Sequence, residues 1–269
     1  MEEENLVARN FSKAATVYEQ HAVVQRAIAE NLLGFISEEE FIGSERILEV
    51  GAGTGIFSEK YLAKNPLLKV DVVDSSDGML AELKRKFPSN LGMVAKDFSE
   101  LGNKNRYQLI LSSCCFHWFD DFPALFSRLG EFINPGRKLA FSIMLDGTFR
   151  ELSDSVETAE NRKRIFGFPS RANIESSLIE AGFEVSSSKV KTHFETFKNF
   201  WEFMHSLKQR GVRTSAPGSL VDVFSPTQLR KMAINYDRAA GLEVQRVADI
   251  ASGSGVYARY QVGYFVASR

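Results

Sequence analysis

The chain has 269 residues, 44% of them hydrophobic, and a formal net charge of -1 at pH 7, which fits one large α/β domain or a domain with a cap. The balanced charge gives no reason to expect a nucleic-acid surface, and no apolar stretch approaches the roughly 20 residues that a membrane span requires. The acidic start at Met1–Glu4 lacks the pattern of a secretory signal, and the two cysteines, Cys114 and Cys115, are adjacent, which disfavours a structural disulfide. We therefore expect a cytoplasmic protein.

The first half of the chain alternates between strands and helices. Apolar residues at helical spacing predict an amphipathic helix over residues 12–36. Short apolar runs then predict strands at 46–50, 69–74, 92–95, 107–111 and 138–143. Helices are predicted between them at 55–64, through Met79 and Leu83, and through Leu125 and Phe132 up to a turn at 134–136. This alternation predicts a parallel, doubly wound α/β sheet with helices on both faces.

The second half is less regular. A helix is predicted at 171–181, a sixth strand at 183–190 and a final strand at 260–267, with further helices at 197–210 and 226–240. The last helix begins with a capping box, in which Ser225 is the N-cap, Pro226 the first helical residue and Gln228 the reciprocal partner. We predict a single domain over 1–269, with an N-terminal helical cap segment at 1–40 and a helical insertion at 192–245 as a candidate lid.

The most informative motif is a glycine-rich turn that follows the first strand. Glu49–Gly55 reads Glu-Val-Gly-Ala-Gly-Thr-Gly, and its glycines let the backbone turn sharply and approach a ligand that a Cβ atom would obstruct. Asp74 closes the second strand 23 residues after Gly51, at the place where a parallel sheet binds a ribose. Together, the turn and the acid predict an adenosine-containing ligand.

The spacing of the glycines distinguishes between adenosine ligands. A dinucleotide fingerprint requires a glycine where Ile56 stands, whereas the third glycine here, Gly55, comes one residue earlier. The E-x-G-x-G-x-G form resembles motif I of the class I S-adenosylmethionine-dependent methyltransferases. The resemblance implies a Rossmann-like, seven-stranded methyltransferase sheet. It also implies S-adenosyl-L-methionine as methyl donor and S-adenosyl-L-homocysteine as product, with no metal.

The same pattern supplies further donor-binding candidates. An acid after the third strand, here Asp97, pairs with the adenine amino group, and the adjacent Phe98 can cover the ring; the alternative is an ordinary surface aspartate. The predicted donor-binding residues lie in the glycine turn or follow strands two to four: Glu49, Gly51, Ala52, Gly53, Gly55, Asp74, Ser75, Met79, Asp97, Phe98 and Ser112.

Other segments resemble a narrower group, the malonyl-acyl-carrier-protein O-methyltransferases of biotin synthesis. The resemblance is carried by Phe11–Ala15, Tyr18–Ala22, Gln25–Arg26, His117–Trp118, Gly147–Leu152 and Ser206–Val212. It therefore extends over nearly the whole chain. Residues 161–169 only approximate the Asn-Arg-Phe-x-Pro of that family, so the position of a substrate-binding arginine stays open between Arg162 and Arg164.

The resemblance implies transfer of a methyl group to the free carboxylate of a malonyl thioester on acyl carrier protein. Because a carboxylate is ionised at neutral pH, alignment and exclusion of water matter more than a general base. The candidate catalytic residues are Tyr18 as a substrate-shaping hydroxyl, Arg162 or Arg164 as a fork for the carboxylate, and His117 as a base. Packing is the alternative role of Tyr18 and His117.

Acyl carrier proteins are acidic, so a basic docking face is expected. The candidates cluster in the sixth strand and the insertion: Lys189, Lys191, Lys198, Lys208, Arg210 and Arg213. Their alternative role is that of solvated surface charges. Cys114 and Cys115 are interpreted as small packing residues because no partner base is identifiable.

Two other functions remain open at this point. A methyltransferase for another small carboxylate or other acceptor would use the same turn and acids. A donor-binding but inactive regulatory subunit would have no need of the intact turn with both Asp74 and Asp97. A nicotinamide oxidoreductase is disfavoured by the glycine spacing. The sequence does not determine the oligomeric state.

Overall fold

A computed structural model describes residues 6–42, 44, 46–102, 107–156, 167–212, 224–244 and 255–269. Its centre is a seven-stranded sheet with the spatial order β3-β2-β1-β4-β5-β7-β6. The strands are β1 Ile47–Val50, β2 Val70–Val73, β3 Leu91–Ala95, β4 Tyr107–Ser113, β5 Ile133–Met144, β6 Glu184–Phe197 and β7 Val256–Ser268. The predicted seven-stranded, Rossmann-like class is therefore confirmed.

The parallel arrangement predicted from the first half of the chain does not extend to β7, which runs antiparallel to both of its neighbours, β5 and β6. The strands β1 to β5 pair in parallel, as expected. In the antiparallel region Phe265 lies opposite Phe141, and their rings stack 5.1 Å apart. A buried apolar run has the same composition in either direction, so the sequence could not reveal the direction of β7.

Helices cover both faces of the sheet. They are α1 Leu6–His21, α2 Val23–Leu33, α3 Glu38–Ile42, α4 Ile56–Lys64, α5 Asp77–Lys86, α6 Phe122–Phe132, α7 Arg150–Asp154, α8 Arg171–Glu180, α9 Phe200–Gln209 and α10 Pro226–Val244. Short 3-10 helices follow β3 and β4, at Phe98–Leu101 and Phe116–Trp118. Among the described residues, no helix is long and apolar enough to cross a membrane.

Several element boundaries differ from the predicted ones. The helix predicted at 12–36 is two helices, which meet at Ala22, where the backbone leaves helical geometry at φ -92° and ψ 45°. The strands β6 and β7 have 14 and 13 residues and pair along their whole length, so the insertion follows Phe197 and does not begin at 192. The predicted turn at 134–136 falls within β5. Residue 245, the predicted end of the insertion, lies outside the described residues.

The two faces of the sheet bury separate apolar clusters. One contains residues of α2, α4, α5 and both helices of the insertion, and the other contains residues of α6 and α8. In β1 the alternation of side chains places Ile47 in the first cluster and Leu48 and Val50 in the second. The predicted capping box starts α10, since the Ser225 N–H donates to Gln228 Oε1 over 2.8 Å and the Gln228 N–H donates to Ser225 Oγ over 3.3 Å.

Candidate active site

The glycine turn lies at the carboxyl end of β1 and leads directly into α4. Its three glycines have positive φ angles, at 67° for Gly51, 56° for Gly53 and 87° for Gly55. A Cβ atom on Gly51 would lie 2.2 Å from Cys115 Sγ, so glycine is required there by space as well as by backbone conformation. The turn is thereby packed against the loop that follows β4.

Asp74 is fixed by the backbone on either side of it. Its Oδ2 accepts a hydrogen bond from the Gly53 N–H over 2.8 Å, and its Oδ1 accepts one from the Ser76 N–H over 2.9 Å. Burial raises its pKa and these two hydrogen bonds lower it, with burial the larger effect. Each carboxylate oxygen retains a second acceptor site, which a ribose hydroxyl can use.

A cavity of about 340 Å³ opens beside this turn, a volume within the usual range for small-molecule sites. Further lining residues come from α1 and from the loop after β4, and nine of the eleven predicted donor-binding residues line the cavity: Glu49, Gly51, Ala52, Gly53, Asp74, Ser75, Met79, Asp97 and Phe98. Gly55 is at the start of α4. Among the described residues the cavity thus joins the ends of β1, β2, β3 and β4, as the sequence predicts.

Asp97 and Phe98 lie at the far end of this cavity, after β3. The Asp97 carboxylate caps a 3-10 helix by accepting the Ser99 N–H over 2.8 Å, and this hydrogen bond lowers the pKa of Asp97. The Phe98 ring stacks on Phe132 at 6.0 Å, which fixes its plane beside the cavity. An anionic acceptor and an aromatic face are the groups that an adenine ring requires.

Ser112, a predicted donor-binding residue, does not line the cavity. Its side chain is fully buried in β4 and is not among the residues that line the cavity, and its hydroxyl has no hydrogen-bond partner among the described residues. The residues at this strand end that do line the cavity are Ser113, Cys114 and Cys115. The prediction misplaced the end of β4, since a strand's alternation puts neighbouring side chains on opposite faces.

Helix α1 closes one side of the cavity with Val7, Ala8, Phe11 and Tyr18. It approaches α5 so closely that a Cβ atom on Gly78 would lie 2.5 Å from the Ser12 carbonyl oxygen. Ser12 Oγ accepts the Gly78 N–H over 3.2 Å and shares a hydrogen bond of 2.9 Å with Ser76 Oγ. The N-terminal segment therefore packs against the loop that follows Asp74.

A second contact joins the end of α1 to the glycine turn. Glu19 accepts a hydrogen bond from Thr54 Oγ1 over 2.6 Å and pairs with Lys86 and with Arg26. Thr54 is itself part of the glycine turn. The two contact points, Ser12 near the middle of α1 and Glu19 near its C-terminal end, hold the helix beside the cavity.

Glu49 is a buried acid whose carboxylate faces away from bulk water. Its Oε2 accepts hydrogen bonds from Ser58 Oγ over 2.5 Å and from Tyr61 OH over 2.6 Å. Burial is the largest effect on this group and raises its pKa to about 7, against the opposing effect of the two hydroxyls. The acid of the glycine motif is thus tied to α4.

His117 is packed, which was the alternative to a catalytic role. Its ring contacts those of Trp118 and Phe168, at 5.3 Å and 5.8 Å, and it is not among the residues that line the cavity. Burial lowers its pKa to about 3, so the imidazole is neutral at physiological pH. Burial likewise raises the pKa of the Cys114 thiol to about 12, which favours a packing role over a nucleophilic one.

Tyr18 lines the cavity, and its ring contacts that of Phe11 at 6.2 Å. Burial raises its pKa above the ordinary value, so its hydroxyl keeps its proton and can donate a hydrogen bond. Arg162 and Arg164, the candidates for the carboxylate fork, lie outside the described residues.

Arg210 was predicted to belong to the basic docking face, and its burial contradicts this prediction. The Arg210 side chain is fully buried, and its Nη1 donates to Glu195 Oε2 over 3.1 Å and its Nη2 to Tyr260 OH over 3.0 Å. Lys189, Lys191, Lys198 and Lys208 are exposed, and Arg213 lies outside the described residues. The sequence shows that Arg210 is charged, but it does not reveal its buried partner Glu195, which lies 15 residues away on β6.

The sequence interpretation missed Gln25 as a cavity residue. Gln25 is buried in α2, lines the cavity, and accepts a hydrogen bond from Arg210 Nη1 over 3.5 Å. A signal existed, because Gln25 belongs to one of the segments that carry the family resemblance and Arg210 to another.

Residues 19–188 match the family described as "Methyltransferase domain". Malonyl-[acyl-carrier protein] O-methyltransferase 1 of Ilyobacter polytropus is 31% identical over 209 residues, which cover 76% of this chain and 76% of that protein. The relative numbered 2 in the same organism is 38% identical over 156 residues, or 57% of this chain and 60% of the relative. The corresponding Bacillus anthracis protein is 27% identical over 263 residues, covering 95% and 93%.

The fold is shared with solved structures of low sequence identity. A Bacillus halodurans C-125 protein assigned to the methyltransferases has a TM-score of 0.59 at 13% identity, covering 90% of this chain and 98% of that one. The YcgJ protein of Bacillus subtilis has a TM-score of 0.52 at 13% identity, covering 83% and 91%.

Proposed function

Since the chain belongs to the class I S-adenosylmethionine-dependent methyltransferases, and within them to the malonyl-[acyl-carrier protein] O-methyltransferase family, we propose that it methylates the free carboxylate of malonyl-acyl carrier protein. The product is the methyl ester, which removes a negative charge and initiates pimeloyl synthesis for biotin. The observation that carries the donor half of this proposal is the single cavity shared by the glycine turn, Asp74 and Asp97.

The residues present fit S-adenosyl-L-methionine. Asp74 would accept the ribose hydroxyls, Asp97 the adenine amino group, and Phe98 would cover the ring. The open space at Gly53, where a Cβ atom would meet nothing within 4 Å, leaves room for the amino-acid part of the donor. The donor supplies a methyl group on a sulfonium, and S-adenosyl-L-homocysteine is what remains.

The acceptor half of the proposal rests on the chemistry of a carboxylate. A carboxylate is ionised at neutral pH, so the site needs no residue to remove a proton from it. His117 is a weak base because burial lowers its pKa to about 3, and it does not line the cavity, while the Cys114 thiol keeps its proton; neither is suited to that task, and the reaction proposed here does not require it. The task left for the protein is to align the oxygen with the methyl group and to exclude water.

Helix α1 is suited to the exclusion of water. Its apolar residues Val7, Ala8 and Phe11 form one wall of the cavity, and Ser12 and Glu19 fasten the helix to the donor-binding loops. We assign the N-terminal segment as a cap and the insertion as a lid. We retain Arg162 or Arg164 as a candidate for the carboxylate fork.

The carrier protein would dock on the exposed lysines near this cap. Lys189, Lys191, Lys198 and Lys208 are exposed and belong to β6, α9 or the segment between them. An acidic carrier is attracted to such a surface through long-range electrostatics. Arg210 is not part of this surface because it is buried.

Radiolabelled methyl transfer tests the proposal. The protein and labelled S-adenosyl-L-methionine are incubated with malonyl-acyl carrier protein, and with acetyl-acyl carrier protein as the control that lacks the carboxylate. We expect label on the malonyl carrier alone, in an ester that alkali hydrolyses. Donor binding without transfer to malonyl-acyl carrier protein would overturn the acceptor assignment, and a panel of other carboxylates would then separate a different acceptor from an inactive subunit.

A further inference from the structure

Three hydrogen-bond donors line the cavity without an acceptor from the protein. Tyr18 OH, the Gln25 side-chain N–H groups and the indole N–H of Trp118 make no hydrogen bond to the described part of the chain, although all three residues line the cavity. Gln25 is buried and Tyr18 and Trp118 are half-buried, so these donors are open to the cavity, where a ligand that accepts hydrogen bonds can pair with them. The neighbouring hydroxyl of Thr54, by contrast, is paired with Glu19.

Shared neighbours connect the three donors. Phe11 contacts the ring of Tyr18 at 6.2 Å and the ring of Trp118 at 5.4 Å, which places these two side chains on either side of it. Tyr18 and Gln25 are linked by a different neighbour, since Arg210 donates to Gln25 and interacts electrostatically with Tyr18. This group of donors is therefore local to the wall that α1 and α2 contribute.

Arg210 determines which way the Gln25 amide faces. The guanidinium donates to Gln25 Oε1, so the amide nitrogen is turned away from the guanidinium and is left for the cavity. Arg210 itself is held by Glu195 and by the Tyr260 hydroxyl, which in turn donates to Glu195 Oε2 over 2.8 Å. Four separate elements, α2, β6, β7 and the residue after α9, thus fix one amide group.

The balance of charge in this cluster suits a carboxylate that must react. Among the described residues, Glu195 pairs with Arg210 and Asp77 pairs with the lining residue Lys96, so the donors of this wall are neutral. Neutral donors bind an anion more strongly than an uncharged ester, because hydrogen bonds to ionised groups are about twice as strong.

We propose that Gln25 is a binding residue for the carboxylate of the acceptor and that Arg210 is the positioning residue that orients it. This inference rests on the proposed function. The Gln25 N–H and the Tyr18 hydroxyl donate to the carboxylate and fix its direction, and the site distinguishes a malonyl from an acetyl thioester through them.

The test separates this inference from the proposed reaction by measuring binding as well as transfer. The protein loaded with S-adenosyl-L-homocysteine is titrated with malonyl-pantetheine and acetyl-pantetheine, and the ratio of the two dissociation constants is compared between wild type, Gln25→Ala and Gln25→Glu. Gln20→Glu, an exposed residue of α1, is the matched control for the change in charge.

We expect the preference for malonyl over acetyl to fall about 10- to 100-fold in Gln25→Ala, which is the ratio for loss of a hydrogen bond to a charged group. In Gln25→Glu the preference for malonyl should fall at least as much, because Arg210 would keep the new carboxylate charged and this charge would repel the carboxylate of the ligand. The affinity for S-adenosyl-L-homocysteine and the behaviour of Gln20→Glu should be unchanged. The inference would be overturned if the wild type did not prefer malonyl-pantetheine, or if the Gln25 variants kept that preference. This holds whatever the transfer assay shows.

A double-mutant cycle tests the positioning role of Arg210. Arg210→Lys should raise the KM for malonyl-acyl carrier protein in the wild-type background, and should have no further effect once Gln25 is alanine. If Arg210→Lys does not fold, Tyr260→Phe serves in the same cycle, since it removes one group that holds the guanidinium. Effects that add independently in the cycle would overturn the positioning role.

Discussion

Asp74 accepts a hydrogen bond from the backbone N–H of Gly53, over 2.8 Å, and thereby joins the end of β2 to the glycine turn after β1. The two residues are 21 positions apart and belong to adjacent parallel strands. The carboxylate that would bind the ribose therefore also fixes the glycine turn.

Asp74→Asn should weaken donor binding. The amide can accept at only one of its atoms, so either Gly53 or Ser76 would face an N–H group instead of an oxygen. We expect the Kd for S-adenosyl-L-homocysteine, measured by calorimetry, to rise about 10- to 100-fold. Asp77→Asn, an exposed acid at the start of α5, is the control and should bind as the wild type does. Unchanged affinity in Asp74→Asn would argue against its role.

Gly78→Ala should detach α1 from α5. The added Cβ would lie 2.5 Å from the Ser12 carbonyl oxygen, which belongs to the backbone and cannot yield without moving the helix. We expect weaker donor binding and faster hydrogen exchange in residues 6–21, while α5 itself stays folded. Gly167→Ala, where a Cβ atom meets nothing within 4 Å, should show neither effect. Normal exchange in α1 of Gly78→Ala would contradict the predicted cap.

Glu49→Gln should change how stability depends on pH. Burial raises the pKa of Glu49 from 4.5 to about 7, so between these values the folded state holds a proton that the unfolded chain has released. The free energy of unfolding of the wild type therefore falls as the pH rises through this range, by about 3 kcal/mol from this group. Glu49→Gln has no titrating group at this position, so its free energy of unfolding should fall less over the same pH range.

Chemical denaturation at pH 5 and pH 8 measures this difference. Glu180→Gln, an exposed residue at the end of α8, is the control and should follow the wild type at both pH values. An equal loss of stability in Glu49→Gln and in the wild type would show that Glu49 does not titrate in this range.

His117→Phe should leave the pH profile of methyl transfer unchanged. The pKa of His117 is lowered to about 3 by burial, so its imidazole is already neutral across pH 6 to 8 and has no titration to lose there. General-base catalysis contributes roughly 10²–10⁴-fold, and we expect a loss well below that, because the aromatic ring can keep the contact with Phe168. A rate that falls with an inflection near pH 6.5 only in the wild type would restore His117 as a base.

The sequence by itself determined the donor half of the site. Gly51 and Gly55 have positive φ angles, which is a local requirement for glycine, and Asp74 follows a strand that pairs in parallel with the preceding strand along the chain. These features depend on short segments and on the pairing of two consecutive strands, and both can be predicted from the spacing of residues along the chain.

Only the tertiary structure decided the acceptor half. Arg210, predicted as a surface charge, is buried because Glu195 and Tyr260 arrive from two strands whose antiparallel pairing the sequence did not reveal. Gln25 lines the cavity, and His117 packs beside Phe168 away from its lining, because of how α2 and the β4 loop are placed. The environment of a polar side chain is set by contacts between distant segments, and burial and charge partners then decide its ionisation and its role.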